Sequence, residues 1–271
     1  MKKQTTLTAV LILLSLPAWL CAQASKNTVF LSLGPGHVAR QDLVFSPFVH
    51  RAVSPLCINL GYTRQAKLRQ SCRLGFATYQ ASVTDTYAYL EDSEDTQTYP
   101  HQFTLIDLNY GIGKSIGRGF SAGLQLQAGI QSLAYSFGRV SSSFGYFAHF
   151  GLGVSLEKQV AVGKHGNLSA GLKLPLLNWL ARSPYLVNDD EFIENTYSHS
   201  GIKTFFAFIA DGQAATLDTY QSADLQLRYQ YKLSKKWSVG AEYTLAWMHA
   251  KRPRNLLQFR NTLQCRLALH F

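Results

Sequence analysis

The chain has 271 residues, of which 46% are apolar, 13% aromatic and only 15% charged, with a formal net charge of +10. Ordinary soluble domains carry roughly a quarter charged residues, yet the mean hydropathy of -0.05 is far too polar for a bundle of membrane helices. With 16 Phe, 14 Tyr and 20 Gly the composition favours strands and tight turns, and a closed β-barrel, whose apolar and polar residues alternate and cancel in any window, reconciles both averages.

The N-terminus reads as an export signal. Lys2 and Lys3 supply the charged region, residues 7–20 the apolar core, and Ala22-Gln23-Ala24 a small-x-small cleavage site, so the mature chain is expected to begin at Ser25. The apolar run is shorter than the roughly 20 residues a spanning helix needs. Cys21 would suit lipid attachment only behind a small residue, and Leu20 is bulky. Loss of Lys2 and Lys3 lowers the net charge by two. Cys57, Cys72 and Cys265 remain, an odd set without metal-ligand spacing, expected as free thiols.

From there the chain alternates with period two. Expected strands cover residues 43–50, 56–64, 68–78, 104–114, 120–130, 144–158, 168–176, 225–233, 237–247 and 263–271, the first being the weakest and joined to the second by Arg51-Ala52-Val53-Ser54. The fold class expected is all-β, a closed antiparallel transmembrane barrel of about ten strands. Twelve stay compatible with the pattern, because residues 25–41 contain an alternating stretch before Gly34-Pro35-Gly36, and residues 202–210 read equally as a hairpin arm or a wall strand.

The last strand is the most informative. Leu263, Cys265, Leu267, Leu269 and Phe271 share one face, with Gln264, Arg266, Ala268 and His270 on the other, and the chain ends on Phe271. At these residues it resembles bacterial outer-membrane β-barrel proteins, whose final strand commonly ends in an aromatic residue with apolar residues at alternate positions before it. The resemblance implies that Leu267, Leu269 and Phe271 form the signal read by the barrel-assembly machinery. It also implies periplasmic chaperones, outer-membrane lipids and lipopolysaccharide as partners, and the outer membrane of a Gram-negative bacterium as the location. It implies no particular enzyme or transporter family, and the oligomeric state stays open.

On this reading residues 1–24 are the signal peptide, 25–40 a periplasmic lead-in and 41–271 the barrel. Short links fall on the periplasmic side, and the longest outer connections span residues 85–102 and 178–220. The apolar face carries two aromatic girdles, as two membrane interfaces demand. Tyr62, Tyr110, Phe120, Tyr231 and Trp237, with Phe271, lie near the short turns; Phe144, Tyr146 and Trp247, with Phe259, lie near the other end.

The opposite face then points into the lumen. It holds Arg69, Arg73, Lys173, Arg228, Lys232, Arg260 and Arg266 against Asp107, Glu157, Asp224 and Glu242, with Gln125, Gln127 and Gln264 among them. Small barrels have interiors that side chains largely fill, so a salt-bridged plug is the favoured reading, and a narrow pore, which this cation excess would make anion-preferring, is the second.

The outer rim offers ingredients without recognisable spacing. Carboxylates cluster at Asp85, Glu91, Asp92, Glu94 and Asp95 and again at residues 189–194, without the spacing of a calcium loop. His50, His101, His199-Ser200 and His249 stand beside Asp85, Asp189 and Asp190 without the nucleophile–base–orienter pattern of a hydrolase. The basic outer loop His249-Ala250-Lys251-Arg252-Pro253-Arg254 suits lipopolysaccharide phosphates and equally a plain solvated loop. The expected function is a non-enzymatic outer-membrane barrel, structural or narrow-pore, with a polar plugged lumen. The alternatives are a rim hydrolase acting on lipid A, phospholipid or peptide, and an adhesin or docking platform using residues 178–220. No cofactor, metal site, catalytic residue or nucleic-acid partner is expected.

Overall fold

The structure, a computed structural model, describes residues 26–81, 86–87, 97–98, 101–137, 141–183 and 201–271. Its strands are β1 (Lys26–Asp42), β2 (Ser46–Gln65), β3 (Arg69–Ala81), β4 (Thr86–Tyr87), β5 (Gln97–Thr98), β6 (His101–Gly117), β7 (Phe120–Phe137), β8 (Ser141–Val162) and β9 (Gly166–Arg182). The helix α1 (Gly201–Ala210) follows, then β10 (Gln213–Ala215), β11 (Tyr220–Lys232), β12 (Trp237–Ala250) and β13 (Leu256–His270). Ten of these, β1-β2-β3-β6-β7-β8-β9-β11-β12-β13, run antiparallel, and β13 pairs back onto β1 from Thr28↔His270 to Asp42↔Leu256. Reciprocal backbone bonds between Asn27 and Phe271, of 2.8 and 2.9 Å, finish that seam. Closure leaves no sheet edge, the condition for a strand-built membrane span. The chain is thus a closed, ten-stranded antiparallel transmembrane β-barrel.

The number of strands agrees with the sequence reading, but their membership differs. Residues 25–40 are not a periplasmic lead-in: β1 is a full wall strand, with Phe30, Ser32, Val38, Arg40 and Asp42 buried inside and Val29, Leu31 and Leu33 exposed outside. The Gly34-Pro35-Gly36 sequence, which looks like a stop, sits at a bulge against β2, where the register shifts between Gly34 and Gly36. A proline, having no N–H to give the ladder, is tolerated at such a point.

Residues 43–50 are likewise not a separate strand. The chain turns at Leu43-Val44-Phe45, where Phe45 N donates to Asp42 O at 2.9 Å, and runs unbroken through β2. Arg51-Ala52-Val53-Ser54 lies inside that strand, and a second bulge, between Val53 and Cys57, absorbs Pro55.

The third correction is α1. Residues 202–210 are helical rather than a wall strand, so twelve strands are excluded. A short apolar run does not distinguish helix from strand by its period. The helix lies against the outward face of the wall: Phe208 stacks on Tyr146 with ring centroids 3.6 Å apart, and Trp179 Nε1 donates to Ile209 O at 2.8 Å.

The start of β1, the end of β13 and the short turns define one end of the barrel, here the turn end; the other is the loop end. At the turn end β6 and β7 are joined through Gly117, Arg118 and Gly119, all at positive φ (103, 49 and 76°), which glycine adopts without a Cβ penalty. The outward face is the apolar one, with Leu60, Leu74, Leu108, Leu124, Leu156 and Leu267 each about half exposed.

Inside, the alternation is not uniformly apolar-out and polar-in. The loop-end half of the lumen is filled by Val38, Phe45, Ala52, Cys57, Tyr79, Phe103, Leu105 and Leu133, continued by Phe147, Tyr220, Met248 and Leu256. A polar lumen therefore describes only the turn-end half. Phe30 belongs to the tight packing there: it lies beneath the Arg266 guanidinium at 3.4 Å, and a Cβ built on Gly61 would stand 2.1 Å from its ring. Gly61→Ala is expected to cost about 1–3 kcal/mol, because the ring is held from its other side and overpacking forces it off its rotamer. A urea titration of the refolded barrel checks this, with an unchanged midpoint as the contrary result.

Candidate functional site in the barrel lumen

Eight of the ten wall strands aim a charged side chain into the lumen, because a period of two keeps each such residue on one side for the length of a strand. The centre is Glu242 on β12, fully buried. Its carboxylate takes Arg73 Nη2 at 2.8 Å from β3, Arg228 Nε at 3.2 Å from β11 and Arg266 Nη1 at 3.0 Å from β13. Three cations on one carboxylate set an interaction that water no longer screens, so each partner becomes costly to remove.

Two further pairs flank it. Arg69 meets Glu157 at 2.6 Å and Arg260 meets Asp107 at 2.5 Å. Uncharged groups knit the clusters together: Arg73 Nε donates to Asn59 Oδ1 at 3.0 Å, Asn59 Nδ2 to Gln264 Oε1 at 2.6 Å, Gln264 Nε2 to the Cys57 carbonyl at 2.9 Å, and Gln127 Nε2 to Asp224 Oδ2 at 3.2 Å. Lys173 stands opposite Asp224 in the β9–β11 register. Lys232 is exposed at the turn-end mouth.

The space left falls into three pockets, neighbouring ones sharing lining residues. A vestibule of about 1060 Å³ opens at the turn end, lined among others by Thr63, Arg69, Gln159, Arg228, Gln230, Lys232, Arg266 and His270. Above it lies a chamber of about 100 Å³, sharing Thr63, Arg69, Arg228 and Arg266 with the vestibule. A smaller one of about 50 Å³ follows, beside Asp107, Lys173, Asp224 and Arg260.

Toward the loop end the lumen holds a buried ion-pair group that the sequence does not announce. Arg40, itself 1% exposed, gives Nη2 to Asp42 at 2.7 Å and Nη1 to Gln131 and Gln258 at 2.6 and 2.8 Å. Arg182 of β9 reaches the same Asp42 at 2.5 Å and donates to the carbonyls of Arg252 and Arg254. Val38, Arg40 and Asp42 alternate in the sequence, but the Gly34-Pro35-Gly36 stop before them masks their place in the wall. Arg40 also lies 5.9 Å from the Phe147 ring centroid, so this polar layer sits on the apolar one.

The remaining expected residues fall as follows. Tyr62, Phe120, Tyr231, Trp237 and Phe271 are outward and exposed at the turn end, with Tyr110 half-buried. Lys158 Nζ stands 3.8 Å over the Phe120 ring. At the loop end Trp247 pairs in register with Phe259, and Tyr146 is half-covered by α1; the Phe144 side chain lies outside the described residues. Leu267, Leu269 and Phe271 form the outward row of the C-terminal strand. Cys57, Cys72 and Cys265 are free thiols.

Of the rim residues, His50 is buried on the inward face and His249 half-buried on the outward one. His149 is inward, packed against Gly129, with ring centroids 5.8 Å from Phe147 and 5.9 Å from Tyr220. Asp85, Glu91, Asp92, Glu94, Asp95, Asp189, Asp190, His199, Ser200 and the His101 side chain lie outside the described residues.

No family model matches the chain. No curated protein matches it in sequence either. Solved structures do. The outer-membrane protease OmpT from Escherichia coli superposes with a TM-score of 0.53 at 8% identity, over 94% of this chain and 99% of that one. The translocator domain of the autotransporter NalP from Neisseria meningitidis gives 0.44 at 10% identity, over 98% and 94%. At such identities the likeness to OmpT is one of backbone alone. Closed seam, outward apolar belt and that superposition agree: the chain has the fold of the bacterial outer-membrane β-barrel proteins.

Proposed function

We propose that this chain is a non-enzymatic, structural protein of the Gram-negative outer membrane, with its turn end and both termini toward the periplasm, and that its lumen is a one-ended cup rather than a conduit. The observation that carries this reading is the double closure of the loop-end half. The Arg40–Asp42–Arg182 layer and the apolar layer of Phe45, Tyr79, Phe103, Phe147 and Tyr220 place two successive sets of buried side chains across that half of the lumen. A polar path for ions needs continuous water or ligating groups, and a stack of buried aromatic rings provides neither.

The export signal at residues 1–24 supports the location, as does the outward C-terminal row of Leu267, Leu269 and Phe271, which we assign to recognition by the assembly machinery and its chaperones. The exposed Lys251, Arg252 and Arg254 at the loop end suit lipopolysaccharide phosphates. Planar-bilayer recording of the refolded protein tests the closed lumen. No stepwise conductance is expected, and regular steps in the wild-type chain would overturn the reading.

A further inference from the structure

We propose that the chamber of about 100 Å³ above the vestibule is a binding site for a small, protonated inorganic oxyanion of the hydrogen-phosphate class. Its charge is uncompensated from within. Arg69, Arg73, Arg228 and Arg266 line it, and two carboxylates serve all four: Glu157 is engaged by Arg69, and Glu242 by the other three. Two positive charges are left over before Lys173, which faces Asp224 across the register, is considered. Buried charge without a counter-charge is costly, and a mono- or divalent anion removes that cost.

A second, independent observation points into the same space. Gln125 on β7 lines the chamber, is 4% exposed, and has neither its amide nitrogen nor its carbonyl oxygen engaged by any protein group among the described residues. An orphaned donor and acceptor together cost more than a made hydrogen bond returns, so the pair marks a ligand able to accept and to donate. Hydrogen phosphate does both: its oxygens accept from the amide and from the planar arginine forks, and its P–OH donates to Gln125 Oε1 or to the similarly unengaged Asn109 Oδ1. Chloride and sulfate have no proton to give. Access is from the vestibule, whose Arg69, Arg228 and Arg266 are shared with the chamber and whose Lys232 and Lys235 draw anions toward it.

The test is calorimetric titration of the refolded mature chain in detergent with inorganic phosphate, then with sulfate and chloride at matched ionic strength. Phosphate is expected to bind at least about tenfold more tightly than either, the worth of one hydrogen bond. Equal affinities, or no binding, would overturn the proposal. Glycerol 1-phosphate, too bulky for the chamber, should bind at least about tenfold more weakly than phosphate; equal or tighter binding would contradict an inorganic ligand.

Gln125→Leu should lose at least about tenfold in phosphate affinity while keeping the gel shift of a folded barrel. Gln125→Glu provides the opposite sign. By placing a carboxylate among the surplus arginines it should raise the unfolding temperature in phosphate-free buffer and abolish phosphate binding. Destabilisation or failure to fold by that variant would overturn the site. Conductance plays no part in these readouts, so an open lumen in the bilayer would leave them unaffected.

Discussion

Glu242→Ala is expected to lower the unfolding free energy of the barrel by about 3–5 kcal/mol, the usual cost of breaking a buried ion pair by removing one partner. The size follows from geometry. Glu242 is fully buried and holds Arg73, Arg228 and Arg266 from three other strands, so its loss leaves three guanidiniums facing one another in a confined space. The arginines cannot escape, because Arg73 is also tied to Asn59 and Arg266 is stacked over Phe30.

Glu242→Gln keeps the shape and one acceptor oxygen and should fall between the variant and the wild type. Combining Glu242→Gln with Arg228→Met should recover part of the loss, since it removes one of the stranded charges. Urea titrations of the refolded proteins read all three. Equal midpoints for wild type and Glu242→Ala would show that the cluster is incidental to the wall.

Asp42→Ala is expected to open the loop end and convert a silent barrel into a conducting one. Asp42 accepts from Arg40 and Arg182, and its Oδ1 also takes Val44 N at 3.1 Å, which fixes the Leu43-Val44-Phe45 turn. Removing it takes the one carboxylate that both buried arginines share, at a cost of about 3–5 kcal/mol. It also loosens the hairpin that carries Phe45 into the apolar layer. Repulsion between Arg40 and Arg182 then favours a hydrated gap, and the cations lining it should make the current anion-selective. Stepwise conductance of Asp42→Ala in planar bilayers, absent from the wild type, is the expected result. A silent and folded Asp42→Ala would assign closure to the aromatic rings alone.

Much of the wall was legible because alternation is a local property. Leu225 to Tyr231 and Leu263 to Phe271 show outward and inward faces within a single strand, and the structure keeps both faces as read. Elsewhere the sheet overrides a local stop signal. Pro35 and Pro55 look like turns, yet each falls at a register shift that lets its strand continue. The true turn, Leu43-Val44-Phe45, is apolar because Phe45 is buried in the lumen, and it resembles a strand instead.

The lumen charges were legible as a set, since each falls on the inward face of its own strand. Their partners were not: Arg69 and Glu157 lie 88 residues apart and Arg260 and Asp107 lie 153 apart, so pairing exists only once the wall is closed. The apolar loop-end filling was hidden for a related reason. Phe103 and Leu105 share the inward face of β6 with Asp107, while Ile106 and Leu108 lie on the outward one, so apolar residues stand on both faces and hydropathy alone does not mark the lumen side.

A lumen open at one end and shut at the other is tested most directly by thiol labelling in cells. Gln230, half-buried in the vestibule wall, and Lys251, exposed at the loop end, are each replaced by cysteine in a chain with Cys72→Ala and Cys265→Ala. With a membrane-impermeant PEG-maleimide, Lys251→Cys should react in intact cells and Gln230→Cys only after the outer membrane is permeabilised. Labelling of Gln230→Cys in intact cells to the same extent as Lys251→Cys would contradict the one-ended cup.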